Sequence, residues 1–226
     1  MDPLLVFLVP LGGERYELYC ERHHTGPDEA PTGGGWFAGL RQKFSTMLKQ
    51  AEDHDEEAPP SAGLLARLQG WMMAWVAERV AEQRLLWNLR GRDAAIVTHA
   101  DDVPFEEVME IVRQSLRADH RRHTRWLAVD TLLFIGSGVF FFVPGPNVIA
   151  YFFAFRVVGH WLSMRGAAHG RDKTSWTGRP LPQMTALRAA VARPAHERAR
   201  AIEPLARDLG LLRLTVFVDR MCGRKP

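Results

Sequence analysis

The sequence predicts a mainly α fold with a small N-terminal β-hairpin, an α+β helical bundle built around a central apolar helical hairpin. Three observations lead there. Two short β-rich runs flank Gly12-Gly13 near the start of the chain. Most other apolar residues recur at helical spacing. Residues 127–143 and 148–164 are apolar runs of 17 residues each, separated by Pro144, Gly145, Pro146 and Asn147.

The chain of 226 residues is long enough to bury a sizeable core. Its hydrophobic content of 46% and mean hydropathy of −0.17 exclude a multi-span transporter, and leave room for a soluble protein or one with a small membrane-embedded part. A net charge of +3 is too weak to imply a nucleic-acid partner by itself. Cys20 and Cys222 are the only cysteines and no CxxC accompanies them, so a reducing environment for the bulk of the chain is the simplest expectation. The stretch MDPLLVFLVP has an acid where a signal peptide has basic residues, and is neither Arg-rich nor Ser-rich as a mitochondrial presequence would be.

In chain order, residues 1–22 form the expected β-hairpin, with Tyr16, Leu18 and Cys20 alternating on one side. Residues 23–61 read as loop, a short helix over 36–50 and an acidic linker, EDHDEE followed by Pro59-Pro60. His23-His24 beside Cys20 matches no common zinc spacing, so no metal and no cofactor are expected. Residues 62–170 form the helical core. An amphipathic helix spans 62–90, and its Met and Trp stripe reads as packing surface. Residues 94–99 (AAIVTH) are a candidate third strand able to pair with the hairpin. Asp101, Asp102 and Pro104 then mark a helix start. Phe105, Val108, Ile111, Val112 and Leu116 carry its apolar stripe, which runs on into the first apolar run. Gly166 to Gly170 reads as a helix end with a glycine stop. Residues 171–226 form a C-terminal helical region: SWTGRPLP (175–182) as loop, a short helix from Gln183, and a helix from Pro194. In that last helix Pro204 kinks or splits the rod, Gly210 is a second point of interruption, and Ile202, Leu205, Leu209, Leu212 and Val216 form the stripe. Residues 212–218 alternate like a strand as well, with helix favoured. No phosphate-binding glycine loop, G-x-S-x-G or H-E-x-x-H occurs, so no enzymatic activity is expected.

The hairpin over 127–164 carries most of the functional information. As helices, its runs are each about 25 Å long, against a bilayer core of about 30 Å. Both open ends are basic: Arg113, Arg117, Arg121, Arg122 and Arg125 precede it, and Arg165, Arg171 and Lys173 follow it, while the Pro144–Asn147 tip is uncharged. Trp126 and Trp161 stand at the same open end. That asymmetry predicts a hairpin inserted in or re-entering a bilayer from the cytoplasmic side. A hairpin buried in a soluble core is the competing reading. Pro144 and Pro146 stop the first helix, Gly145 permits the turn and Asn147 can cap the second.

Asp130, Arg156 and His160 are costly in lipid unless they are paired. Folding the hairpin about its tip sets Asp130 beside His160, and Arg156 shares a helix face with His160. A carboxylate, a guanidinium and an imidazole in an apolar setting read either as a proton-handling group or as a structural polar cluster that satisfies buried charge.

Three stretches then resemble the mitochondrial potassium–proton exchange-related family, which has bacterial relatives: HRRHTRWLAVD (His120 to Asp130), VPGPN (Val143 to Asn147) and YFFAFRVVGHWLSMRGAAHG (Tyr151 to Gly170). Pro144, Pro146, Asn147, Arg156, His160 and Gly166 match the family's pattern. The resemblance implies a membrane-associated protein that assists or regulates potassium–proton exchange. Gly145 at the tip departs from the mitochondrial members and, with no evident presequence, favours a bacterial inner membrane with the bulk of the chain facing the cytoplasm. One hairpin cannot line a transport path, so transport would require a homo-oligomer or a membrane transporter as partner, beside the lipid bilayer itself. A soluble helical interaction or scaffold module is the alternative.

Overall fold

The computed structural model describes residues 2–21, 85–137 and 148–223. Two compact units divide the chain, Met1–His23 with Leu85–Pro226, and His24–Arg84; the description concerns the first. The helix expected over 36–50, the acidic linker, His23-His24, most of the helix expected over 62–90 and the hairpin tip Pro144–Asn147 lie outside the described residues.

The architecture is mixed α/β: the expected hairpin is part of a four-stranded mixed sheet of order β2-β1-β3-β4. β1 (Leu4–Pro10) and β2 (Tyr16–Tyr19) pair antiparallel, with Leu8 opposite Leu18. Gly12 and Gly13 make their turn at φ +92° and +61°, a backbone that L side chains resist. β3 (Ala94–Ala100) runs parallel to β1, and β4 (Ser175–Leu181) runs parallel to β3. The sheet thus joins residues from both ends and the middle of the chain.

β1 is a continuous apolar run because both its faces are covered. Val6 and Leu8 join one core with Val97 of β3, the helical segment α1 (85–89) and α2 (Phe105–Ser137), through Val108, Val112 and Leu116. Phe7 and Val9 join a second core on the other face, with α4 (Pro182–Val191), α5 (Ala195–Asp208) and α6 (Leu214–Gly223).

The stretch expected as the loop 175–182 is β4. Its Gly178 and Pro180 argue against a central strand, yet β4 pairs on one side only, where a proline's missing N–H is tolerated. Gly178 has a packing role too, since a Cβ there would come within 2.5 Å of the Phe105 ring. At the start of α2, Asp102 pairs with Arg188 of α4 at 2.8 Å, and Asp101 accepts a hydrogen bond from the Thr185 hydroxyl. These two acids fasten the helix start to α4.

α3 (Val148–Asp172) continues through the glycines expected to stop it. They serve packing: a Cβ on Gly166 would lie 1.7 Å from the carbonyl oxygen of Leu86, and one on Gly170 would lie 2.9 Å from the Leu89 side chain. The backbone of α1 therefore rests directly on α3. α5 runs from Ala195 to Asp208 and Pro204 does not split it. The break comes at Gly210, whose φ is +70°. It resets the helical register, so Leu211, Leu214 and Val218 are buried while Leu212 and Val216 face outward. The helix favoured over strand near 212–218 is α6.

Candidate functional site: a buried polar cluster in the α2–α3 hairpin

α2 is 33 residues long and carries the basic stretch straight into the first apolar run, as its unbroken periodicity predicts. α3 packs along it. Helical spacing puts Val108, Val112, Leu116, His123 and Asp130 on one buried face of α2. The first three meet the sheet core; the last two meet α3.

There the structure brings Asp130, Arg156 and His160 together. Arg156 donates from Nε to Asp130 Oδ1 at 2.9 Å, and His160 Nε2 lies 3.2 Å from Asp130 Oδ2. The Asp130 side chain has no exposed surface, whereas 21% of Arg156 and 14% of His160 remain exposed. The carboxylate is thus sealed inside while its two partners reach the rim. Among the described residues no hydrogen bond of good geometry reaches Asp130 Oδ2, so that atom depends on the imidazole beside it. A buried carboxylate without its guanidinium would carry an uncompensated charge, which sets the demand for Arg156.

Aromatic rings hold the partners in place. The Arg156 guanidinium lies 5.6 Å from the Trp126 ring centre and 5.7 Å from that of Phe152. Trp126 stacks on His160 at 6.5 Å, with 17° between the planes. These contacts restrict the rotamers of Arg156 and His160 and so preserve the geometry at Asp130.

His123 is the member that sequence reasoning missed. It is 7% exposed, and its Nδ1 lies 2.8 Å from His160 Nδ1. At that distance one nitrogen donates and the other accepts. If His160 presents Nε2–H to Asp130, its Nδ1 offers a lone pair, and His123 Nδ1–H donates into it. His123, His160 and Asp130 thus stand in one row, with approaches of 2.8 and 3.2 Å. The seven-residue interval from His123 to Asp130, two turns of helix, was the available signal. One turn closer to the sheet, the His120 ring lies 3.2 Å from the Met164 carbonyl, and Trp87 of α1 donates to the buried Ser163 at 2.9 Å.

The other expected residues divide into two groups. Arg121, Arg122 and Arg125 stand on the exposed side of α2, where with Ala118 and Trp126 they line an open cleft of about 370 Å³. Arg165 lies over the Trp161 ring at 5.2 Å. The tip residues Pro144, Gly145, Pro146 and Asn147 lie outside the described residues. Asp119, half-buried on α2 beside Arg122, has its carboxyl pushed up to about 6 by burial, against the lowering pull of Arg122.

The outside of the far half of the hairpin is apolar. Leu132 is 71% and Ile135 68% exposed, with Val129, Leu133 and Phe134 also exposed. Among the described residues no helix is long and apolar enough to cross a membrane. The apolar stretch of α2 is described only as far as Ser137, and α3 carries Arg156 and His160 inside its own apolar run.

Residues 88–171 match a family model described as mitochondrial K⁺–H⁺ exchange-related. No curated protein and no solved structure matches the chain.

Proposed function

From the match of residues 88–171 to the mitochondrial K⁺–H⁺ exchange-related family we propose that the chain is a membrane-associated protein that assists or regulates potassium–proton exchange, with the α2–α3 hairpin as its anchor and the Asp130 cluster as its proton-handling group. The reading rests on one observation above all: a carboxylate and two imidazoles are lined up by contacts of 3.2 and 2.8 Å within the matched segment. Histidine is the side chain whose ordinary pKa lies nearest neutrality, so such a line responds to the proton side of an exchange. The basic open end and apolar far half suit an anchor in a bacterial inner membrane with the bulk of the chain on the cytoplasmic side. One hairpin does not make a path for an ion, so the protein acts on a transporter or assembles with further copies of itself.

The alternative, a soluble interaction module with the hairpin in its core, has to account for Leu132 and Ile135, which that core would bury and which stand exposed.

Proton and potassium flux decides the functional claim. Vesicles from a deletion strain would be complemented with wild type, His160→Ala, His123→Ala or Asp130→Asn. Wild type restores flux, and each variant at comparable abundance restores at most about a tenth of it, in line with the loss of one positioned acid–base group. Equal flux from all four contradicts the proton-handling role.

A further inference from the structure

The contacts between α2 and α3 fix which residues of the two helices stand at the same height. Trp126 stacks on His160, so Trp126 and Trp161 are level. His120 reaches the Met164 carbonyl, so Arg121, Arg122 and Arg165 share a level about one turn nearer the sheet. Arg125 stands between them, on the exposed side of α2. On the far side of the tryptophans the exposed residues turn apolar: Val129, Leu132, Leu133, Phe134 and Ile135. One outer stripe of α2 thus passes from Arg121 and Arg125 to Val129, Leu132 and Ile135 at intervals of three and four residues. Three zones result: an arginine collar, a tryptophan belt and an apolar end.

The apolar end begins at Trp126 and is described as far as Ser137. Next to this zone Arg121, Arg122, Arg125 and Trp126 line an open cleft, where a phospholipid of a membrane seated on the apolar end would carry its phosphate. Arginine forks match phosphate oxygens in pairs, and a tryptophan suits the boundary between headgroup and chain. Asp119 is the acid on this stretch of α2; it is half-buried, and burial disfavours its charge.

We propose that the Arg121–Arg122–Arg125–Trp126 cleft is a binding site for the phosphate of an anionic phospholipid, which seats the hairpin at the membrane. This rests on the membrane-associated reading of the hairpin and names its lipid; it does not depend on the proton role of the Asp130 cluster.

The test is flotation of the full chain with vesicles of phosphatidylcholine alone or of phosphatidylcholine containing phosphatidylglycerol. The wild type is expected to bind the acidic vesicles at least tenfold more tightly, with the advantage shrinking as salt rises. The triple variant Arg121→Gln, Arg122→Gln, Arg125→Gln changes exposed side chains only, and circular dichroism checks that its fold is kept. It should lose most of the preference for acidic vesicles while keeping its weak affinity for neutral ones. Leu132→Gln with Ile135→Gln should weaken binding to both kinds of vesicle. Equal wild-type affinity for the two compositions overturns the proposal, as does an unchanged preference in the triple variant. Displacement by millimolar inorganic phosphate would also overturn it, by showing a site for the free anion. Vesicle binding is read without any flux measurement, so a failed exchange role and a failed lipid site give different results.

Discussion

In the half of the α2–α3 pair nearest the sheet, Val108, Val112 and Leu116 are fully buried, and Arg113 and Arg117 face outward. In the far half, Asp130 is fully buried with Arg156 and His160 around it, while Leu132 and Ile135 face outward. The same two helices are built water-side out at one end and the other way round at the other. Water rewards the first arrangement, because it covers apolar surface and leaves charge solvated. The second is favourable only where the outside is itself apolar, since a buried ion pair is weak evidence for stability in water and exposed contiguous apolar surface marks an interaction site. The change occurs within about one turn, at His123 to Trp126, and on the proposed reading it is there that the hairpin changes solvent.

Asp130→Ala should have the largest effect on this contrast. It leaves a half-buried guanidinium and imidazole without their carboxylate, at a cost of about 3–5 kcal/mol. Chemical denaturation in the same detergent or lipid as wild type measures it. Replacing the cluster together, Asp130→Leu with Arg156→Met and His160→Leu, should cost much less than Asp130→Ala, because no charge is stranded. A near-equal loss would mean that the cluster does more for stability than satisfy itself.

In the sheet-side half, Gly166→Ala is next. Its new methyl would stand 1.7 Å from a backbone oxygen of α1, which a rotamer change cannot relieve. A loss of about 2–3 kcal/mol is expected from overpacking against backbone, read as a fall in the denaturation midpoint. Gly136, with nothing near its Cβ position, is the far-half control, and Gly136→Ala should be neutral or slightly stabilising from helix propensity.

Asp119 gives a smaller effect with a definite sign. Its carboxyl is raised from 3.8 to about 6 in the folded protein, so the folded state holds the proton more tightly than the unfolded one. The stability this contributes is complete below pH 4 and is lost as pH rises through about 6. Asp119→Asn should flatten that slope and gain roughly 1–2 kcal/mol at neutral pH, a value discounted because the group is only half-buried. Denaturation midpoints at pH 4, 5, 6 and 7 for the two proteins test it.

How much of this was legible in the sequence differs between the halves. The far half was largely readable, because a hairpin folded about a proline tip constrains which residues can meet. Asp130, Arg156 and His160 come together in the structure as that folding predicts. His123 was overlooked because it lies in a run of arginines and histidines that reads as a solvated face; only its two-turn distance from Asp130 sets it apart. The sheet was less readable. Ser175–Leu181 has the glycine and proline of a loop, and only its place at the edge lets those residues form a strand. Gly166 and Gly170 resemble a helix stop, because a local pattern cannot reveal that a distant backbone at Leu86 needs the space. Leu212 and Val216 fit a stripe that a single positive φ at Gly210 puts out of register.

The central claim is that the far half of the α2–α3 hairpin has lipid as its solvent, and extraction of membranes tests it most directly. Full-length wild type and a Leu132→Glu, Ile135→Glu variant would be fractionated after gentle lysis and washed with alkaline carbonate. The account predicts that wild type stays with the membrane pellet through the wash and that the variant is released. Wild type found in the soluble fraction, or freed by carbonate as readily as the variant, would contradict it.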